Sequence, residues 1–139
     1  MRCKAASPTS LRQGAAALSP TEDAEQQVVV QWLELHRLHY THVPNGGWRH
    51  VATARRLKAL GVKAGVPDLL IFERPPARPD AVGVAIEMKR AKGGRVSAEQ
   101  QRWLAHLERQ GWVVAVCQGA GEAVELLRGL GFGRRARPA

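Results

Sequence analysis

The chain is 139 residues long and carries 21 Lys+Arg against 12 Asp+Glu, a net charge of +9, with 45% apolar and only 5% aromatic residues. That composition excludes a wholly disordered chain, a collagen and a disulfide scaffold, and the length suits one domain with a core of its own. No stretch approaches the roughly 18 consecutive apolar residues of a membrane span, and two cysteines, Cys3 and Cys117, are too few for a zinc cluster and fit a reducing cytoplasm.

Residues 1–19 mix Ser, Pro, Ala, Gly and Arg without hydrophobic period and read as a flexible basic leader, with no apolar run of secretory length. Ser19 or Thr21 caps a helix beginning near Pro20, with Glu22, Asp23 and Glu25 in its first turn, where acids complement the helix dipole. Val29, Trp32, Leu33 and His36 recur at helical spacing and carry that helix to about Leu38. An extended piece over 40–44 runs into the turn Asn45-Gly46-Gly47, and a basic helix over 51–60 follows, stopped by Gly61. Two strands come next, 68–72 and 82–88, joined by a proline-rich turn over 74–80. Ser97 caps a helix over 98–110 whose apolar face is Trp103, Leu104 and Leu107; Gly111 ends it, and 112–117 reads as a buried strand. A last helix over 122–130 leads into a basic tail, 132–139. This order predicts one α/β domain over 20–131, a mixed central sheet flanked by helices.

Each of the two central strands is mostly apolar yet holds an acid at one end. An ionised carboxylate beside a core is costly unless it is paired or bound to a metal. Asp68 begins its strand, after the rigid turn Gly65-Val66-Pro67, whereas Glu87 and Lys89 share one face near the end of theirs. If the two strands are antiparallel neighbours, Asp68, Glu87 and Lys89 converge at one edge of the sheet. Two carboxylates and an ammonium so placed suit phosphodiester hydrolysis, because hard oxygen donors hold Mg²⁺ or Mn²⁺ and a lysine offsets charge developing on phosphorus. An ordinary salt bridge from Lys89 to one acid is the plainer alternative.

Pro67-Asp68, eighteen residues, then Glu87-Met88-Lys89 resembles the PD-(D/E)XK pattern of restriction-endonuclease-like nucleases. The flanks narrow the resemblance. Pro44-Asn45-Gly46-Gly47-x-Arg49, the run from Leu57 to Asp68, Ile86-Glu87-Met88-Lys89, and Ser97-x-x-Gln100 followed by Trp103, Leu107 and Gly111 are similar to the small stand-alone VRR-NUC proteins of bacteria and phages. The resemblance implies a restriction-endonuclease-like core and a Mg²⁺-dependent endodeoxyribonuclease, with Mn²⁺ as a substitute and no small-molecule cofactor. It implies that Asp68, Glu87 and the main-chain carbonyl of Met88 bind the metal, that Lys89 is the catalytic lysine, and that Gln100 points toward the site. The family also places an acid on the first helix, ten residues before a tryptophan and four before a glutamine. Glu22, Gln26 and Trp32 fit that spacing, with Glu25 the competitor on nearly the same face. By the same resemblance the partner is DNA, branched forms such as four-way junctions above all, cut by a cytoplasmic homodimer to leave 5′-phosphate and 3′-hydroxyl ends. A module that grips DNA without cutting it is the alternative.

The basic excess also has a place. Residues 35–67 hold Arg37, Arg49, Arg55, Arg56, Lys58 and Lys63 and no acid, and 88–98 hold Lys89, Arg90, Lys92 and Arg95. These stretches flank Asp68 and Glu87, where a phosphate backbone has to approach, so Asn45, Arg49, Arg55, Lys63, Arg90, Lys92 and Arg95 are candidate DNA contacts. His36, His39 and His42 invite a zinc reading, but only the first pair can share a helix face and no fourth ligand is evident, so they read as solvated or partly buried histidines. Gly119-Ala120-Gly121 reads as a tight turn, not a dinucleotide loop.

Overall fold

Thr21 opens the first helix: its hydroxyl accepts the Ala24 N–H at 3.1 Å, and α1 runs Glu22–Leu35 with Glu22, Asp23 and Glu25 in the first turn. The helix ends at Leu35, not near Leu38, because Arg37 takes a φ of 56° and the chain turns there. β1 (Tyr40–His42), α2 (Val51–Ala59), β2 (Leu69–Ile71), β3 (Val84–Lys89), α3 (Ala98–Arg109), β4 (Val113–Gln118) and α4 (Ala120–Gly129) follow in order. The computed structural model describes residues 20–44 and 50–134. Ser19 as an alternative cap, the leader, the turn at Asn45-Gly46-Gly47, Arg49 and residues 135–139 lie outside the described residues.

The strands form one sheet in the order β1-β2-β3-β4. β1 and β2 pair antiparallel, as do β2 and β3, while β3 and β4 are parallel and joined through α3, the kind of crossover that parallel neighbours need. The sheet is therefore mixed and flanked by helices, an α/β fold.

Period-two alternation along β3 divides its side chains between two environments. Val84, Ile86 and Met88 join Leu69 and Ile71 of β2, Val29 and Leu33 of α1, and Ala120, Ala123 and Leu127 of α4 in the apolar core. Ala85, Glu87 and Lys89 point the other way, toward the side of the sheet on which α3 lies, and all six residues of β3 are buried. Among the described residues no helix is long and apolar enough to cross a membrane.

α4 begins at Ala120, earlier than the expected Glu122. Gly119 turns the chain at φ 85°, and Glu25 of α1 accepts the Ala120 N–H at 2.6 Å, a carboxylate against the positive end of the helix. Cys117 is buried in the core, and that burial pushes its thiol up to about 11, so it serves packing and not chemistry.

Candidate active site

The register of β2 on β3 sets Leu69 opposite Ile86, which carries Asp68, one residue earlier, alongside Glu87, one residue later. Asp68 is held at that spot from three directions. Its Oδ2 accepts the Met88 N–H at 2.8 Å, and its carbonyl accepts the Val43 N–H at 2.9 Å and lies 2.8 Å from His42 Nδ1.

The loop that delivers Asp68 is pressed onto α3. Trp103 Nε1 donates to the Ala64 carbonyl at 3.1 Å, and Gly65, buried at φ +86°, lies against the backbone of Glu99 and Gln100. A Cβ at Gly65 would stand 2.7 Å from Glu99 C and 2.9 Å from Gln100 N. Gly65→Ala therefore combines left-handed strain with a clash against backbone, and is expected to lower stability by roughly 1–3 kcal/mol. Urea unfolding checks the loss.

Gln100 is the hub of the site. Ser97 caps α3 in a capping box: Ser97 Oγ accepts the Gln100 N–H at 3.1 Å, and Gln100 Oε1 accepts the Ser97 N–H at 2.9 Å. The same Oε1 accepts from Lys89 Nζ at 3.3 Å, while Nε2 donates to Glu87 Oε1 at 2.6 Å. Lys89 Nζ also lies 3.2 Å from Glu87 Oε1. Asp68, Glu87, Lys89 and Gln100 are thus brought together, with Glu87 only 2% and Lys89 8% exposed.

Glu87 Oε2 is buried and has no hydrogen-bond partner. Burial, and after it the charge of Asp68, push the Glu87 carboxyl up to about 7, against the opposing pull of Lys89. Burial likewise raises Asp68, partly offset by the Met88 N–H. Two facing carboxylates with an orphaned buried oxygen need a proton or a cation between them. Their hard oxygen donors fit a divalent ion such as Mg²⁺ or Mn²⁺.

The remaining expected residues are placed differently. Glu22 is half-buried in the first turn of α1, and its charge is not among those felt at Asp68 or Glu87. Among the described residues no group of three or more His, Cys, Asp or Glu side chains gathers to hold a metal. Glu25, its competitor, spends its carboxylate on the α4 N-terminus. Met88 meets Asp68 through its N–H. Arg55, Lys63, Arg90, Lys92 and Arg95 are exposed, as DNA contacts must be, whereas Asn45 and Arg49 lie outside the described residues.

His42 is the residue that sequence reasoning passed over. The three histidines part company: His36 packs on Trp32 with ring centroids 4.1 Å apart, His39 pairs with Glu73 at 2.6 Å, and His42 reaches Asp68. Only the antiparallel pairing of β1 with β2 reveals this, because nothing near His42 in the chain marks it.

Comparison with known proteins agrees with this geometry. The VRR-NUC domain family matches residues 20–121. A solved structure described as "VRR_NUC domain protein" is 26% identical, covers 79% of this chain and 87% of its own, and superposes with a TM-score of 0.63. No curated protein matches the chain. With its sequence matched across the folded region and its architecture shared, the chain belongs to the VRR-NUC domain family, a nuclease-related family.

Proposed function

We propose that this protein is a metal-dependent DNA endonuclease that hydrolyses phosphodiester bonds at Asp68, Glu87 and Lys89. The observation that carries this reading is the buried Glu87 carboxyl beside Asp68, its Oε2 unpartnered and Lys89 and Gln100 on the other oxygen. An ordinary salt bridge does not need a second carboxylate pressed against the first, and a pure phosphate-binding surface gains nothing from acids that repel the backbone.

Asp68 and Glu87 would hold Mg²⁺, or Mn²⁺ in its place, with the Met88 carbonyl and Glu22 as further candidate donors. Such an ion, when bound, offsets phosphate charge and lowers the pKa of an attacking water. The chain's own groups do the rest. Lys89, kept in place by Glu87 and Gln100, offers an ammonium to the charge that develops on phosphorus. Gln100 fixes Glu87 Oε1 and so holds the carboxyl beside Asp68. Arg55, Lys63, Arg90, Lys92 and Arg95 attract and seat the phosphate backbone.

Branched DNA, four-way junctions above all, is the proposed substrate, and a homodimer the proposed assembly. One domain carries one site, and two symmetric cuts across a junction call for a two-fold pair. Purified protein incubated with supercoiled plasmid, linear duplex and a four-way junction tests the reading. Cleavage with Mg²⁺ or Mn²⁺ and none with EDTA is expected, with 5′-phosphate and 3′-hydroxyl ends and preference for the junction. Retardation of DNA without cutting under every metal condition would instead leave a DNA-binding module.

A further inference from the structure

The last residues of β1 are engaged in more than sheet pairing. Asp68 is the residue just before the β2 ladder begins, and its carbonyl takes two approaches from β1: the Val43 N–H at 2.9 Å and His42 Nδ1 at 2.8 Å. A carbonyl oxygen has two lone pairs, so both can be filled at once. Nδ1 bonds the Asp68 carbonyl in the tautomer that carries its proton on that nitrogen. The Gln26 amide nitrogen on α1 also lies 3.0 Å from Nδ1, but both are donors in that tautomer, so Gln26 flanks the ring without bonding it. The ring is therefore tied to the peptide of Asp68. His42 itself is exposed, so its place in the structure is not explained by core packing.

The direction of a short carboxylate side chain is set by the peptide that bears it. Asp68 has a demanding target, since Oδ2 must meet the Met88 N–H on the neighbouring strand at 2.8 Å while facing the buried Glu87. On the chain's other side lies the loop that Gly65 lays against α3, so His42 guards the one end of β2 where the ladder stops. We infer that His42 is a positioning residue for Asp68. Its ring pins the Asp68 peptide so that the carboxylate keeps its aim with or without a cation. The inference rests on the metal-dependent reading above and adds a residue to it that touches neither metal nor substrate.

Three variants at one position test it. Asparagine places its amide N–H where Nδ1–H stands, glutamine reaches one atom further to where Nε2 stands, and alanine offers nothing. Manganese binding is measured by titration calorimetry, and exchange of the Val43 and Met88 amides is measured by NMR in metal-free protein. In His42→Ala and His42→Gln, Mn²⁺ affinity is expected to fall about tenfold or more, as loss of a residue orienting a ligand does, and both amides exchange faster. His42→Asn is expected to restore both readouts to near the parent values. Should His42→Ala fail to fold, the contrast between the Asn and Gln variants carries the test. Parent-like Mn²⁺ affinity in both His42→Ala and His42→Gln, or an Asn variant as weak as the Gln variant, overturns the inference. If the parent protein binds Mn²⁺ no better than Asp68→Ala does, the metal-dependent reading itself has failed, and the amide exchange still reports on the positioning.

Discussion

Asp68→Ala and Glu87→Ala are each expected to lower DNA cleavage at least a hundredfold to about a thousandfold, with retardation of junction DNA retained. Each removes one of two hard oxygen donors at a site where no other acid is gathered among the described residues. The basic residues 55–63 and 90–95 remain, so the phosphate backbone is still attracted. Glu87→Gln makes the sharper variant. Its amide keeps the shape of the site and an oxygen for Gln100 and Lys89, yet it ends the confrontation with Asp68. It is expected to be as inactive as Glu87→Ala while unfolding at higher denaturant than the parent near pH 8, because a buried carboxylate with one unpartnered oxygen beside a second carboxylate has been replaced by a neutral group. A plasmid-nicking time course and a urea titration together check this. Cleavage surviving in any of the three would remove these residues from the chemistry.

A second large effect is a dependence of stability on pH that reverses the habit of most carboxylates. In the folded chain Glu87 titrates at about 7, raised from its ordinary 4.5 by burial and by Asp68. The folded state thus holds a proton that the unfolded state releases between those two values. Stability from this group is complete below about 4.5 and is lost as the pH rises through about 7. Asp68, also raised by burial, acts in the same direction. The gap corresponds to about 3 kcal/mol as an upper figure. Metal-free protein is therefore expected to resist urea better near pH 5.5 than near pH 8, and Mg²⁺ or Mn²⁺ added at pH 8 should return the lost stability. Glu87→Gln should flatten the profile. A metal-free profile that rises from pH 5.5 to 8 would contradict the facing-carboxylate geometry.

Much of this was legible in the chain because the cues were local. Ser97 announced a capped helix, Gly61 and Gly111 announced two helix ends, and the acids at opposite ends of two apolar strands needed only antiparallel pairing to meet. What stayed hidden depended on groups far apart in sequence. Arg37 ends α1 in a left-handed conformation that no helical period announces. Glu22 and Glu25 share a helix face, and their difference emerges only when the α4 N-terminus arrives beside Glu25. His42 is exposed, as a solvated ring should be, but its contact with the Asp68 carbonyl emerges only when β1 is laid against β2. Local propensity resolves elements, whereas the duties of individual polar side chains are assigned by tertiary neighbours.

Asp68, Glu87, Lys89 and Gln100 all belong to one uninterrupted run of chain, from the residue before β2 through α3, while α1 and α4 cover the opposite side of the sheet. The proline-rich turn within that run joins the ends of β2 and β3 farthest from the carboxylates. The run therefore carries its chemistry at one end and is tied down at the other, where Pro75 is buried and the Ala77 N–H donates to the Leu130 carbonyl after α4 at 2.9 Å. A change in the length of that turn is therefore felt first where it packs on the end of α4, at the opposite end of β2 and β3 from the acids.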